Sequence, residues 1–91
     1  MTTKKDNWFV YILCCADGTL YTGIAKDVEK RIVQHNTDDK AGAKYTRARR
    51  PVELVYSESC GSRSEASKRE YQVKRMARKD KLMLVGRACK S

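Results

Sequence analysis

A single carboxylate falls where a helix should present an apolar side chain. Ser62 and Glu65 form an S-x-x-E capping box, which predicts a helix beginning after Gly61. Positions 66, 70, 73 and 77 then recur at the helical period, and position 70 is a glutamate. A charged side chain in such a place needs an ion-pair partner or a metal ion. Glu70 is therefore either paired with a neighbouring arginine, the more frequent case in a small domain, or a metal-binding carboxylate that lines a cleft.

Arg31 and His35 are four residues apart in a second predicted helix and share one face of it. A guanidinium keeps its charge and binds phosphate through two parallel hydrogen bonds, and an imidazole exchanges a proton near neutral pH. Each residue taken singly is more simply explained as an ordinary edge residue, with His35 packing on a sheet.

Two tyrosines fall in neighbouring predicted strands. Tyr11 lies in the middle of the first apolar run and Tyr21 in the run that follows a tight turn, so their rings can approach one another. Core packing is the default role of a tyrosine in a strand. A buried phenol nevertheless needs a hydrogen-bond partner, and two of them near an arginine and a glutamate would form a polar cluster.

The overall charge favours a polyanionic partner. The chain has 91 residues, with 20 Lys plus Arg against 11 Asp plus Glu, a net charge of +9 at pH 7. Nucleic acid is the commonest partner of such a protein. No apolar run reaches the length of a spanning helix, and the first residues lack the apolar stretch of a signal peptide, so we expect a cytoplasmic protein with no membrane partner.

Cysteine usage fits that location. The four cysteines are expected to be free thiols, and their spacing, with a single histidine in the chain, does not match a structural zinc site.

The first half of the chain predicts a hairpin and a helix. Residues 8–15 form an unbroken apolar run, which is typical of a strand covered on both faces. Asp17-Gly18 is a turn signal, and residues 19–24 continue as a second strand. Asp27 can cap a helix over residues 28–35, which carries Val28 and Ile32 on one face.

The second half predicts a strand and two helices. Residues 36–50 lose the apolar period and read as a loop, and the alternation of apolar and polar side chains from residue 52 to 57 predicts a third strand. The capped helix should run to about residue 79, and Asp80 can cap a last helix over 81–85 that ends at Gly86. The order β-β-α-β-α-α predicts an α+β fold, a small three-stranded and mostly antiparallel sheet flanked by helices. Residues 1–91 are expected to form a single domain with its core at about 8–85.

These features together resemble the GIY-YIG nucleases, in particular the small single-domain bacterial members. The resemblance covers residues 8–85 and rests on five segments in order, which are Phe9-Val10-Tyr11, Tyr21-Thr22-Gly23, the helix with Arg31 and His35, the loop from Gly42 to Arg47 with Arg50-Pro51, and Glu70. Phe9 replaces the glycine that many members have in the first motif, and Thr22 replaces the central isoleucine of the second.

The resemblance implies a metal-dependent endonuclease that hydrolyses DNA phosphodiester bonds. It implies one divalent ion, Mg²⁺ with Mn²⁺ as the alternative, held by Glu70, and no organic cofactor. Arg31 would offset charge on the phosphoryl oxygens, and Tyr11, helped by Tyr21 or His35, would orient or deprotonate the attacking water. RNA stays open as a second substrate class.

The basic loop would then hold the nucleic-acid backbone. Its candidate contacts are Lys40, Lys44, Tyr45, Arg47, Arg49 and Arg50. Because backbone contacts carry no base code, a preference for DNA structure over sequence is expected. The alternative is a nucleic-acid-binding module that keeps the fold and has little or no catalytic activity.

Overall fold

The computed structural model describes residues 7–37 and 49–86. Its elements in chain order are β1 (Trp8–Cys14), β2 (Leu20–Ala25), α1 (Val28–Thr37), β3 (Glu53–Cys60), α2 (Arg63–Lys74) and α3 (Arg78–Val85). The three strands form one antiparallel sheet in the order β2-β1-β3. The predicted α+β class and the order β-β-α-β-α-α are therefore confirmed.

Strand β1 is the centre of the fold because its two faces supply two separate cores. Tyr11 and Leu13 point to the side covered by α1, and Val10 and Ile12 point to the side covered by α2 and α3. All four side chains are almost completely buried. An unbroken apolar run is what a strand covered on both faces requires, so that prediction is also confirmed.

The hairpin between β1 and β2 sets the register that the site depends on. Gly18 has φ 86°, a left-handed conformation that glycine adopts without steric cost. The carboxylate of Asp17 accepts hydrogen bonds from the backbone N–H and the hydroxyl of Thr19, at 3.1 and 2.7 Å. With the turn fixed in this way, Tyr11 pairs with Gly23 and Leu13 pairs with Tyr21.

Helix α1 is fixed at both ends. Asp27 caps it by accepting from the N–H of Lys30 at 3.1 Å, as predicted. The helix continues to Thr37, two residues beyond the predicted end, and its residue Asn36 holds the start of β3. The Asn36 amide donates to the carbonyl of Val52 at 3.2 Å and accepts from the N–H of Val52 at 2.8 Å. The Asn36 amide therefore makes the two backbone hydrogen bonds with Val52 that a neighbouring strand would otherwise make.

Helix α2 begins at the predicted capping box. The hydroxyl of Ser62 accepts from the N–H of Glu65 at 3.2 Å, and the Glu65 carboxylate accepts from the N–H of Gly61 at 3.1 Å. Ala66 and Val73 are fully buried against β1, which confirms these two positions of the apolar face.

The predicted end of α2 is wrong. The helix stops at Lys74 rather than near residue 79, and Ala77 is an exposed N-cap of α3 rather than a core position. Helix α3 accordingly starts at Arg78 instead of residue 81, and it ends at Gly86, as predicted, with φ 84°. The chain bends between the helices because Met76 must pack, with Leu84 and Val85, on the α2 side of the sheet.

The cysteines are not all free. Cys15 and Cys60 are free thiols, whereas Cys14 is disulfide-bonded, so the expectation of free thiols is wrong for Cys14. Among the described residues no three His, Cys, Asp or Glu side chains are grouped so that they could hold a metal ion together. In the same part of the chain, no helix is both long and apolar enough to cross a bilayer.

The only histidine of the chain is completely buried. His35 has no exposed surface, and this burial, together with the positive charges of Arg31 and Arg50, lowers its pKa from the usual 6.5 to about 4. The folded protein therefore holds His35 as a neutral imidazole at neutral pH.

Buried neutral His35 predicts a loss of stability in mild acid. Between pH 6.5 and 4 the unfolded chain binds a proton at His35 that the folded protein does not bind. The free energy of unfolding should therefore fall across this window as pH is lowered, by on the order of 3 kcal/mol. Urea unfolding of the wild type and of His35→Gln at pH 7 and pH 4.5 measures this difference, and the variant should lose less stability.

A second readout is independent of whether the variant folds. Because the chain has one histidine, its proton NMR signal is assigned without ambiguity, and its titration midpoint in the folded protein should lie below pH 5. A midpoint near 6.5 would show that His35 is not held neutral by the fold.

Candidate functional site

Tyr11 crosses the sheet at the one point of β2 that has no side chain. Its register partner is Gly23, and a Cβ placed on Gly23 would lie 2.6 Å from the Tyr11 hydroxyl oxygen and 2.8 Å from its Cζ. Both distances are well inside van der Waals contact. Glycine at position 23 therefore lets the phenol extend across β2 to the edge of the sheet.

Three rings pack together at this edge. The Tyr11 ring centroid is 6.5 Å from that of Tyr21 and 6.0 Å from that of His35, and the last two are 5.3 Å apart with their planes near 67°. The two contacts with His35 are edge-to-face, and the two tyrosine rings are tilted by 45° to one another. The Tyr11 hydroxyl and His35 Nε2 also form a buried hydrogen bond of 3.0 Å. The structure therefore brings together the two predicted tyrosines and the predicted histidine.

Arg31 lies beside the same phenol. Its guanidinium hydrogen-bonds to the side chain of Gln34 at 3.0 Å and is close enough to the Tyr11 hydroxyl to lower the pKa of that group. Burial, and next the neighbouring Tyr21, act in the other direction and dominate, so the pKa of Tyr11 is raised to about 12. Tyr11 is therefore a neutral phenol in the folded protein, hydrogen-bonded to a neutral histidine.

Glu70 approaches the cluster from the other face of the sheet. Its side chain is 23% exposed and forms an ion pair with Lys74, one helical turn later, at 3.1 Å. Its negative charge is the smallest of the effects that raise the pKa of Tyr11, after burial and the neighbouring Tyr21. The ion-pair partner is a lysine rather than the arginine that the sequence suggested.

The arrangement spans the sheet edge. Arg31 and His35 come from α1 on one face, Glu70 comes from α2 on the other, and Tyr11 reaches between them over Gly23. Residues that are distant in sequence are thus gathered around one hydroxyl group. We call Tyr11, Tyr21, Arg31, His35 and Glu70 the polar cluster.

The donor chemistry of the polar cluster suits a hard divalent cation with few protein ligands. Glu70 is its one carboxylate, and one of that carboxylate's oxygens already contacts a cationic group, the Lys74 ammonium. Mg²⁺ binds through one or two carboxylates and keeps several waters, so a single half-buried glutamate fits it. Zinc in a structural site needs four protein ligands, and the described residues offer no such group.

The basic residues predicted to bind nucleic acid fall into two sets. Arg49 pairs with Asp17 of the hairpin turn at 3.0 Å, and Arg50 donates from Nε to the backbone carbonyl of His35 at 2.6 Å. These contacts tie the chain that enters β3 to the hairpin and to α1. The other four predicted residues lie outside the described part of the chain and are Lys40, Lys44, Tyr45 and Arg47.

The amino-acid sequence does not predict two features of the site. Asn36 holds α1 against Val52, and nothing in the sequence distinguishes this asparagine from a helix-end residue. The steric role of Gly23 depends on its pairing with Tyr11, which becomes visible only when the hairpin register is known.

Comparison with known proteins finds relatives that are more than half identical in sequence. A UPF0213 protein of Desulfotalea psychrophila is 58% identical over 83 residues, which cover 91% of this chain and 74% of that protein. A UPF0213 protein of Staphylococcus saprophyticus is 55% identical over 80 residues, which cover 88% of this chain and 95% of the relative.

Two solved structures share the fold. The solution NMR structure of a UPF0213 protein from Bacillus halodurans has 46% identity and a TM-score of 0.56, covering 88% of this chain and 83% of that one. The solution NMR structure of a protein from E. faecalis has 36% identity and a TM-score of 0.58, covering 91% of this chain and 88% of that one.

The family model of the GIY-YIG catalytic domain matches residues 7–83, a range that includes all five residues of the polar cluster. Because the family model matches most of the chain, and because the chain has relatives that are more than half identical to it, the chain belongs to the GIY-YIG family of nuclease domains.

Proposed function

We propose that this protein is a metal-dependent endonuclease that hydrolyses phosphodiester bonds in DNA and selects its substrate by structure rather than by sequence. The observation that carries the proposal is the polar cluster, in which a buried Tyr11–His35 hydrogen bond lies beside Arg31 and Glu70. A protein that only bound nucleic acid would need its basic surface and would have no use for this arrangement. The net charge of +9 supports an anionic substrate.

Glu70 is the residue proposed to hold the divalent ion, Mg²⁺ or Mn²⁺. When bound, such an ion polarises the phosphate and stabilises the leaving oxygen. Lys74 contacts Oε2 of the Glu70 carboxylate, at 3.1 Å, so the other oxygen is the one proposed to bind the ion.

Arg31 is proposed to bind the phosphoryl oxygens as negative charge builds on them. Gln34 holds the guanidinium beside Tyr11, so the positive charge is positioned before the substrate arrives. A preorganised donor of this kind contributes roughly 2.7 to 4 kcal/mol to the stability of a transition state.

Tyr11 is proposed to orient the attacking water rather than to deprotonate it. A phenol with a pKa of about 12 is almost entirely protonated at neutral pH, and its low acidity argues against a role as general base. In the tautomer in which His35 Nε2 accepts the phenol proton, the Tyr11 oxygen can accept a hydrogen bond from Arg31 and a second one from water. Tyr21 packs on both rings and keeps that pair in place.

One observation favours the second candidate, a nucleic-acid-binding module with little or no catalytic activity. The Lys74 ammonium offsets the charge of the Glu70 carboxylate. If Lys74, rather than a divalent ion, neutralises Glu70 in the presence of metal and DNA, the cluster holds no metal. The two candidate functions therefore differ in whether Glu70 binds a divalent ion.

Replacing Glu70 separates the candidates. Wild type should cut branched DNA with Mg²⁺ and not with EDTA, and Glu70→Ala should lose cleavage while keeping its affinity for the same DNA, since it removes the metal ligand and none of the basic surface. Gel assays of cleavage and fluorescence anisotropy of binding measure the two properties. Glu29→Ala, which removes an exposed carboxylate from α1, is the matched control and should cut like the wild type. Equally little cleavage by wild type and Glu70→Ala, with equal binding, would refute the nuclease proposal.

A methyl group at position 23 tests the placement of the Tyr11 hydroxyl. Gly23→Ala puts a Cβ 2.6 Å from that oxygen and must displace it, so we expect cleavage to fall by about 10²-fold with binding little changed. In Gly61→Ala the new Cβ meets the end of the Glu65 side chain at 3.1 Å, and a shift of that flexible carboxylate by a few tenths of an ångström relieves the contact, so this control should keep its activity. Single-turnover cleavage of branched DNA by the two variants, with urea unfolding to verify that both are folded, makes the comparison. Similar activity in both variants would mean that the position of the Tyr11 hydroxyl does not matter to the reaction.

A further inference from the structure

Lys26 and Arg63 both contact the ring of Trp8, at the end of the sheet that is remote from the hairpin turn. The Nζ atom of Lys26 lies 5.9 Å and the Cζ atom of Arg63 lies 5.6 Å from the centroid of the Trp8 ring. Both basic residues are exposed and Trp8 is partly buried. We call these three residues the Trp8 patch.

The chemistry of the patch suits a phosphate group. The face of an indole ring attracts a cation although the ring has no net charge, so the contact positions Lys26 and Arg63 without cancelling their charge. Both cations lie within about 6 Å of one ring centroid, so the two positive charges share one aromatic neighbour. Two exposed positive charges around one ring attract a phosphodiester backbone.

The patch lies on the α2 side of the sheet, the side from which Glu70 approaches the polar cluster, and Trp8 packs there against Val10 and Ile12. Trp8 precedes Tyr11 by three strand residues, a distance of about 10 Å along β1, and the two side chains point to opposite faces of the sheet. Arg63 precedes Glu70 by seven helix residues, which is again about 10 Å. Because seven residues are nearly two full turns, Arg63 and Glu70 face the same way from α2. Along both β1 and α2, therefore, the Trp8 patch is about 10 Å from the polar cluster.

The flank of α2 that faces β3 offers a ligand less positive charge. Arg69 lies on the side of the helix that faces β3, and its Nε is 3.1 Å from both carboxylate oxygens of Glu58. That pairing offsets the charge of Arg69. The positive charge available to a ligand is therefore greater on the flank of α2 that faces β2 and carries Arg63.

We propose that the Trp8 patch is a second phosphate-binding subsite, which holds the nucleic-acid strand about 10 Å from the bond that the polar cluster cuts. At about 3.4 Å of rise per nucleotide, this offset corresponds to roughly three nucleotides of a duplex. The inference rests on the proposed function, since it assigns an additional contact to the same substrate. Lys26 and Arg63 bind backbone phosphate, and Trp8 positions them.

The chain offers a direct probe of this subsite, because Trp8 is its only tryptophan. Wild-type protein in EDTA, which prevents cleavage, is titrated with a fluorescently labelled branched DNA. Label anisotropy reports binding anywhere on the protein, and Trp8 emission reports the patch. We expect both signals to change with the same midpoint.

Matched variants give the second readout. Lys26→Ala and Arg63→Ala should each weaken binding several-fold and reduce the slope of log affinity against log salt concentration by about one, as expected for one lost phosphate contact. Lys68→Ala removes the same charge from an exposed position of α2 that points away from the sheet, and it should change affinity by less than about twofold. Far-UV circular dichroism verifies that the three variants are folded.

The outcomes distinguish the subsite from the function it rests on. If DNA binds while Trp8 emission stays constant, or if Arg63→Ala behaves like Lys68→Ala, the subsite is refuted and the nuclease proposal stands. If no DNA binds under any condition, the proposed function itself fails.

Discussion

The site depends on the passage of Tyr11 over Gly23. The phenol is rooted in the central strand and reaches the sheet edge only because its register partner has no side chain. At that edge it forms a buried hydrogen bond with His35, and it is close enough to Arg31 and Glu70 for their charges to act on its pKa. If the phenol were displaced, the groups from the two sides of the sheet would no longer share a common neighbour.

The rest of the fold serves this convergence. The Asp17-Gly18 turn fixes the hairpin register, Asp27 fixes the start of α1, and Ser62 fixes the start of α2. Asn36 then couples α1 to β3 through two hydrogen bonds to Val52. Since α1 and α2 pack on opposite faces of the sheet, its edge at β2 is a place where side chains from both can meet, and the polar cluster is there.

The sequence predicts those features that local chemistry controls. The Asp-Gly turn, the Asp27 cap, the S-x-x-E box and the two-sided burial of β1 each depend on residues close together in the chain, and the structure has all four. The predicted end of α2 was wrong because the chain turns after Lys74, and Met76 packs with Leu84 and Val85 of α3 on the α2 side of the sheet, a contact that no periodicity within α2 encodes. Contacts that depend on side-chain positions in three dimensions are different. Sequence spacing left the partner of Glu70 open, and it did not show that Trp8 contacts Lys26 and Arg63.

We propose that the Tyr11 hydroxyl, held by His35, takes part in cutting DNA. The most direct test is the single-turnover rate at which Tyr11→Phe cleaves branched DNA in saturating Mg²⁺, measured alongside its affinity for that DNA. The substitution removes one oxygen atom and leaves the ring that packs on Tyr21. We predict a rate at least about 10²-fold below that of the wild type with unchanged affinity, since loss of a group that positions the reacting water acts on the chemical step. Cleavage at the wild-type rate by Tyr11→Phe would contradict the account.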